Sequence, residues 1–349
     1  MSREVILAFI DERKGEPMLE IGPLITPVLQ KSNHNVYYAD IKSKEEIYEQ
    51  YKTYKSMDPP ETLYERIMPI DYVVRDTYRD AVGHMRFSVV LSSHVIEHTT
   101  DLIGHLYELS EILTDDGLVV LFIPDKRYCF DHFREITPFR DAVDVYLKGE
   151  ACCTARFVFE DCFNGYHFNN KNDPFLYWKN EISFNTVKED DNGFTRARAN
   201  YERSVNNGMV KGIHQWVFTD KSFLDIIRDC LRAKLIQFKL SYFSPTQPGE
   251  QEFHVILQKD LTILTNEAFR KQEVAKIAEL AENLQSQGKE KDLQKLQIAL
   301  QQKKQECDAL SSRVHALENA FWWRATKPMR VLSTFVKRLL YRNTGGIKK

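Results

Sequence analysis

The 349-residue chain has no run of 18 consecutive apolar residues, and no charged-then-apolar leader with a small-residue cleavage site. Spanning helices and export are not expected, which makes the cytosol the default location. Its six cysteines, Cys129, Cys152, Cys153, Cys162, Cys230 and Cys307, include no Cys-x-x-Cys pair. They read as reduced thiols, and no metal site is expected. Acidic residues are missing from the last 30 positions, which carry eight basic ones, while the other 319 hold 40 basic against 50 acidic. With no basic stripe outside that tail, nucleic acid is not an expected partner. Glycine occurs once and proline never between positions 266 and 319, which predicts a long helix there.

What is present points to a layered α/β domain. Residues 87–91 and 118–123 are short apolar runs rich in β-branched residues, as in strands buried on both faces of a parallel sheet. Between them Leu102, Ile103, Leu106, Leu109, Ile112 and Leu113 recur at helical spacing, and Asp116-Gly117 marks the expected helix end. The unit reads strand, helix, strand. Ser92, Ser93, His94, Glu97 and His98 follow the first strand, at the edge where open α/β sheets hold ligands. Upstream, residues 18–23 read as a strand end and a sharp turn, with Gly22 permitting close backbone approach. Residues 36–40 give a second strand ending in Asp40, eighteen positions after Gly22, where an acid can accept from both ribose hydroxyls of a nucleotide. Residues 70–76 give a third strand ending in Asp76, and residues 5–10 an element packed on the domain edge.

The string Ser-Ser-His-Val-Ile-Glu-His-Thr-Thr-Asp at 92–101, a helix later followed by Leu-Thr-Asp-Asp-Gly-Leu-Val-Val-Leu-Phe-Ile-Pro-Asp at 113–125, resembles class I S-adenosylmethionine-dependent methyltransferases. Glu20-x-Gly22-Pro23 looks like the variant first motif of surface-polysaccharide members. The resemblance covers residues 18–259. It implies a Rossmann-like doubly wound seven-stranded sheet, S-adenosylmethionine as cofactor, and a cofactor site drawn from Glu20, Gly22, Asp40, Asp76, Ser92, Ser93 and His94. Asp76 stands where the family often caps the adenine amino group. The turn at 244–249 reads as the hairpin that makes the family's seventh strand antiparallel.

The expected domains are a methyltransferase domain over 1–262, with a lid insertion at about 126–213, a coiled coil over 266–319, and a basic amphipathic tail over 320–349. Long excursions from this strand edge normally build a substrate lid. Leu293, Leu296, Leu300, Cys307, Leu310, Val314, Leu317 and Phe321 step by alternating threes and fours, the seam of a coiled coil that pairs with a second copy or a partner helix. Ile277, Leu280 and Leu284 lie two residues out of that register, which places a break or bend near Gly288. The tail sets Val331, Leu332, Phe335, Leu339 and Leu340 on one face behind Phe321, Trp322 and Trp323, a pattern suited to the inner-membrane surface or to a partner such as a glycosyltransferase.

A hydroxyl acceptor benefits from a base, and an anionic acceptor from cationic clamps. His98, His214 and Asp125, with His167 behind them, are the candidate bases, and Lys126, Arg127 and Arg134 the candidate clamps. The expected activity is O-methylation of a bacterial surface glycan or its lipid-linked glycolipid precursor. The alternative is an inactive methyltransferase-like scaffold that assembles polysaccharide enzymes at the membrane.

Overall fold

The computed structural model describes residues 2–53, 59–149, 154–165, 177–178, 192–207, 212–319 and 325–343. Seven strands form one sheet: β1 (Met18–Ile21), β2 (Val36–Asp40), β3 (Tyr72–Val73), β4 (Phe87–Ser93), β5 (Leu113–Pro124), β6 (Phe238–Ser244) and β7 (Glu252–Lys259). Their order is β3-β2-β1-β4-β5-β7-β6. Strands β1 to β5 are mutually parallel where they pair, and β7 runs antiparallel between β5 and β6. This is a Rossmann-like doubly wound sheet, and the strand order reverses between β1 and β4. The central strands are apolar throughout because both faces are covered: Phe87, Val89, Val90 and Leu91 have no exposed surface.

Residues 5–10 belong to the helix Ser2–Asp11, whose Ile6 and Ile10 enter the core with Met18, Val36, Val89, Val120 and Phe122. This helix covers a face of the sheet. The third strand is shorter than the apolar run at 70–76 suggests. Asp71 turns its carboxylate onto the Tyr38 N–H at 2.8 Å and the Lys31 ammonium, replacing a rung of the ladder at this edge. After β4, Asp101 caps the helix Leu102–Ile112 by accepting from the Ile103 and Gly104 N–H groups. That helix does not run to Asp116-Gly117. Leu113 is already extended and pairs with Phe87, and residues 114–117 are accommodated by a register shift before Leu118 meets Val89.

Between β5 and β6 the chain leaves the sheet through the helices Phe139–Lys148, Ala155–Asn164 and Gly193–Asn207. It returns as an extended segment, 213–219, that leads into the helix Asp220–Arg232. The departing and returning chains are bonded to each other: Lys126 N–H donates to Phe218 O at 2.8 Å, and Thr137 N–H to Val217 O at 3.0 Å.

The chain divides into two compact units, 1–283 and 284–349. A single helix, Glu267–Asn319, crosses the division and runs through Gly288 without interruption, so the expected break is absent from its hydrogen bonding. The register offset has another cause. Ile277 and Ala281 are buried within the first unit, where Lys276 donates to the Leu240 carbonyl, so the early stripe faces protein. In the second unit Leu300, Leu310, Val314 and Leu317 are all more than half exposed. A further helix, Lys327–Asn343, exposes Val331, Leu332 and Phe335. Phe321, Trp322 and Trp323 lie outside the described residues, as do Cys152 and Cys153; the four described cysteines are free. Among the described residues no helix is long and apolar enough to cross a membrane.

Candidate functional site

The registers Ile21↔Ala39 and Ile21↔Ser92 bring the ends of β1, β2 and β4 to one sheet edge, which carries Gly22, Asp40 and Ser93. Gly22 has φ +68° and donates its N–H to Ala39 O. A side chain there would be strained by the backbone angle and would also place its Cβ 2.9 Å from Val95 Cγ2. Asp40 is half-buried, and burial raises its carboxyl pKa; Oδ1 accepts from Lys42 N–H at 2.9 Å. Asp76 lies exposed in the turn after β3, Ser92 is buried and Ser93 half-buried. Glu20 is placed differently from the cofactor role expected of it. Its two oxygens accept the Val28 and Leu29 N–H groups at 2.8 and 2.7 Å, so it fixes the loop that follows Gly22. Burial pushes its pKa up to about 7 against the pull of those donors.

His94 follows β4 with φ +53°, a conformation non-glycine residues rarely adopt and one that clusters at functional sites. Its N–H bonds to Phe122 O, and its Nε2 lies 2.8 Å from Glu252 Oε2 at the start of β7. Burial lowers the His94 pKa, but the Glu252 hydrogen bond and the charges of Glu97 and Glu252 together outweigh it, and the net shift is upward.

Around Glu97 a second cluster gathers side chains from distant parts of the sequence. Glu97 has no exposed surface, and neither carboxylate oxygen has a hydrogen-bond partner among the described residues. Three histidines surround it: His94 Nδ1 at 3.7 Å, His214 Nε2 at 3.9 Å and His98 Nε2 at 4.0 Å from Oε1. The outer nitrogens of two rings are fixed. His98 Nδ1 meets Ile213 O at 2.8 Å, and His214 Nδ1 meets Asp131 Oδ2 at 2.6 Å. Burial and the neighbouring His214 lower the His98 pKa, whereas Asp131 raises that of His214 in spite of its burial. Asp131 is in turn held by Arg134, which is fully buried and also binds Glu160 and Asp161.

The structure brings together His98 and His214, two of the candidate bases, but not Asp125. That carboxylate is fully buried, is paired with the Arg127 guanidinium and accepts the Thr246 hydroxyl at 2.8 Å, so both oxygens are occupied. Lys126 and Arg127 are not free clamps either. Lys126 donates to His132 O, and Arg127 bridges Asp125 and Asp220. Arg134 holds up His214 through Asp131. His167 lies outside the described residues. Asp131 and Glu252 carried no sequence signal: Asp131 meets its histidine across 83 positions and Glu252 across 158.

No family model and no curated protein sequence matches this chain. Among solved structures, the CurJ carbon methyltransferase is similar at 13% identity over 74% of this chain and 53% of that chain, with a TM-score of 0.34. The trans-methyltransferase CalH, in complex with SAH, is similar at 12% identity over 74% and 55%, with a TM-score of 0.34. A SAM dependent methyltransferase from Aquifex aeolicus is similar at 9% identity over 74% and 89%, with a TM-score of 0.35. The chain spans about half the length of the CurJ and CalH structures.

Proposed function

We propose that the chain is an S-adenosylmethionine-dependent methyltransferase that methylates a hydroxyl of a surface glycan or of its lipid-linked precursor. One observation carries the reading. The tight turn at Gly22, the acid Asp40 and the polar end of β4 share one sheet edge, and the histidine cluster follows β4 directly. These residues fit the cofactor. Gly22 lets the backbone approach it without a Cβ, Asp40 accepts from ribose hydroxyls, and His94 borders the site at the end of β4. When bound, S-adenosylmethionine supplies a methyl group on a sulfonium. The protein's part is to hold donor and acceptor in line. His98 and His214 both direct Nε2 toward the buried Glu97 carboxylate, at 4.0 and 3.9 Å.

Calorimetric titration with S-adenosylmethionine tests the reading. The wild type is expected to bind in the low micromolar range, and Asp40→Ala, which removes charge-assisted hydrogen bonds, to weaken binding by about 10- to 100-fold. Absence of wild-type binding at millimolar cofactor overturns the activity and favours the scaffold.

The glycan acceptor is supported by the second unit. The exposed apolar stripe of the long helix suits self-association, and the helix Lys327–Asn343 presents Val331, Leu332 and Phe335 together with Lys337 and Arg338, a composition suited to an anionic lipid surface. Deleting residues 320–349 is expected to move the protein from membrane to soluble fractions while cofactor affinity stays unchanged. Unaltered fractionation sinks the membrane part of the proposal.

A further inference from the structure

The cluster around Glu97 has the chemistry of a cation site. A fully buried carboxylate with neither oxygen hydrogen-bonded among the described residues is costly unless positive charge compensates it, and the three histidine nitrogens, at 3.7, 3.9 and 4.0 Å, stop short of a hydrogen bond. Glu97, His98 and His214 each offer one ligand atom, and the three atoms lie within 4.8 Å of one another. Both histidine rings turn Nε2 inward while the Ile213 carbonyl and the Asp131 carboxylate take Nδ1. Outer-shell bonds of this kind fix the tautomer and orientation of metal-ligating histidines and raise their basicity. Arg134 extends the support to a further layer by anchoring Asp131.

We propose that Glu97, His98 and His214 bind a divalent first-row transition-metal ion. Two imidazoles and a carboxylate suit manganese, iron or zinc better than calcium or magnesium, which prefer all-oxygen shells. Ligand-to-metal distances of about 2.1 Å put neighbouring ligands roughly 3.0–3.5 Å apart. The pairs at 3.9 and 4.0 Å therefore contract by about 0.4–1.0 Å, and His98 and His214, whose ligand atoms lie within 4.8 Å of each other, close in by side-chain rotation around the ion. Three protein ligands leave open positions, as catalytic metal sites do. His98 is the ligand nearest solvent, with 38% of its side chain exposed, so those positions open on its side. On the methyltransferase reading above, the open positions take the oxygens of a hydroxyl-bearing acceptor such as a vicinal diol.

The test is metal binding by the full chain, stripped with chelator, using Mn2+ followed by electron paramagnetic resonance and Co2+ followed by visible absorption, with no cofactor or acceptor present. One tight ion per chain is expected, and His98→Asn and Glu97→Gln are each expected to weaken it by at least about 10- to 100-fold, the range outer-shell losses alone produce. His98→Asn alters a partly exposed side chain, so its circular dichroism and melting temperature are expected to match wild type and the loss reports on ligation. His34→Ala, in a histidine outside the cluster, is expected to leave binding unchanged. No binding of either ion by wild type, or equal affinity in wild type and His98→Asn, overturns the site. Because S-adenosylmethionine is absent, a chain that binds metal but not cofactor keeps this site and loses the methyltransferase reading, and the reverse result removes the site alone.

Discussion

Gly22→Val is expected to lower S-adenosylmethionine affinity by more than about 100-fold, the largest functional effect anticipated from any single change. Two independent penalties meet at this position. A β-branched residue at φ +68° is held in a region that L-residues avoid, at a penalty on the order of 1–3 kcal/mol. Its Cβ alone would come 2.9 Å from Val95 Cγ2, before the two further methyl groups are placed. Either the turn or Val95 must move to relieve the contact, which on the proposed reading displaces the backbone that approaches the cofactor. Gly22→Ala carries the backbone penalty and a single contact and is expected to fall between. Calorimetry on the three proteins checks the order; equal affinities would show that the turn does not border the cofactor.

Arg134→Met is expected to destabilise the first unit by about 3–5 kcal/mol, the range for removing one partner from a buried ion cluster. Met approximates the apolar stem, so little of the loss comes from packing. What remains is electrostatic: Asp131, Glu160 and Asp161 lose a guanidinium that lies 2.7, 2.6 and 3.0 Å from them. A melting-temperature drop of about 10 °C corresponds to that range at two to four degrees per kcal/mol. Arg134→Lys rescues little, since one ammonium cannot reproduce the fork that serves three carboxylates. A drop under 2 °C would mean that the cluster contributes little to folding.

How much of this was legible in the sequence depended on the range of the interaction. Strands β4 and β5, the helix between them and the edge positions Gly22 and Asp40 follow from local periodicity and turn chemistry, which act within a few residues. Asp125, Lys126 and Arg127 were misassigned for the opposite reason. Their polarity is visible in the sequence, but not that Asp125 and Arg127 pair with each other and Lys126 with the His132 carbonyl, or that Asp220, 93 positions from Arg127, and Thr246, 121 from Asp125, complete the set. Glu97 stood in plain view beside His98, yet its significance lies in having no hydrogen-bond partner, which only three-dimensional packing reveals. The helix through Gly288 shows a third case. The register offset, read as a break or bend, leaves the helix unbroken and coincides with a change in the stripe from buried Ile277 to exposed Leu300.

The seam at the base of the insertion has a consequence for how such a protein diversifies. Lys126 to Phe218 and Thr137 to Val217 close the excursion where it leaves and rejoins the sheet. Past a closed base, the entropy of lengthening a loop grows only logarithmically, so each doubling adds about 0.6 kcal/mol. Buried positions such as Ala142 and Val145 are not open to this, but at exposed positions beyond Thr137 the chain can be lengthened at little entropic expense to the strands beneath. Such lengthening changes the insertion without moving the sheet edge that bears Gly22 and Asp40.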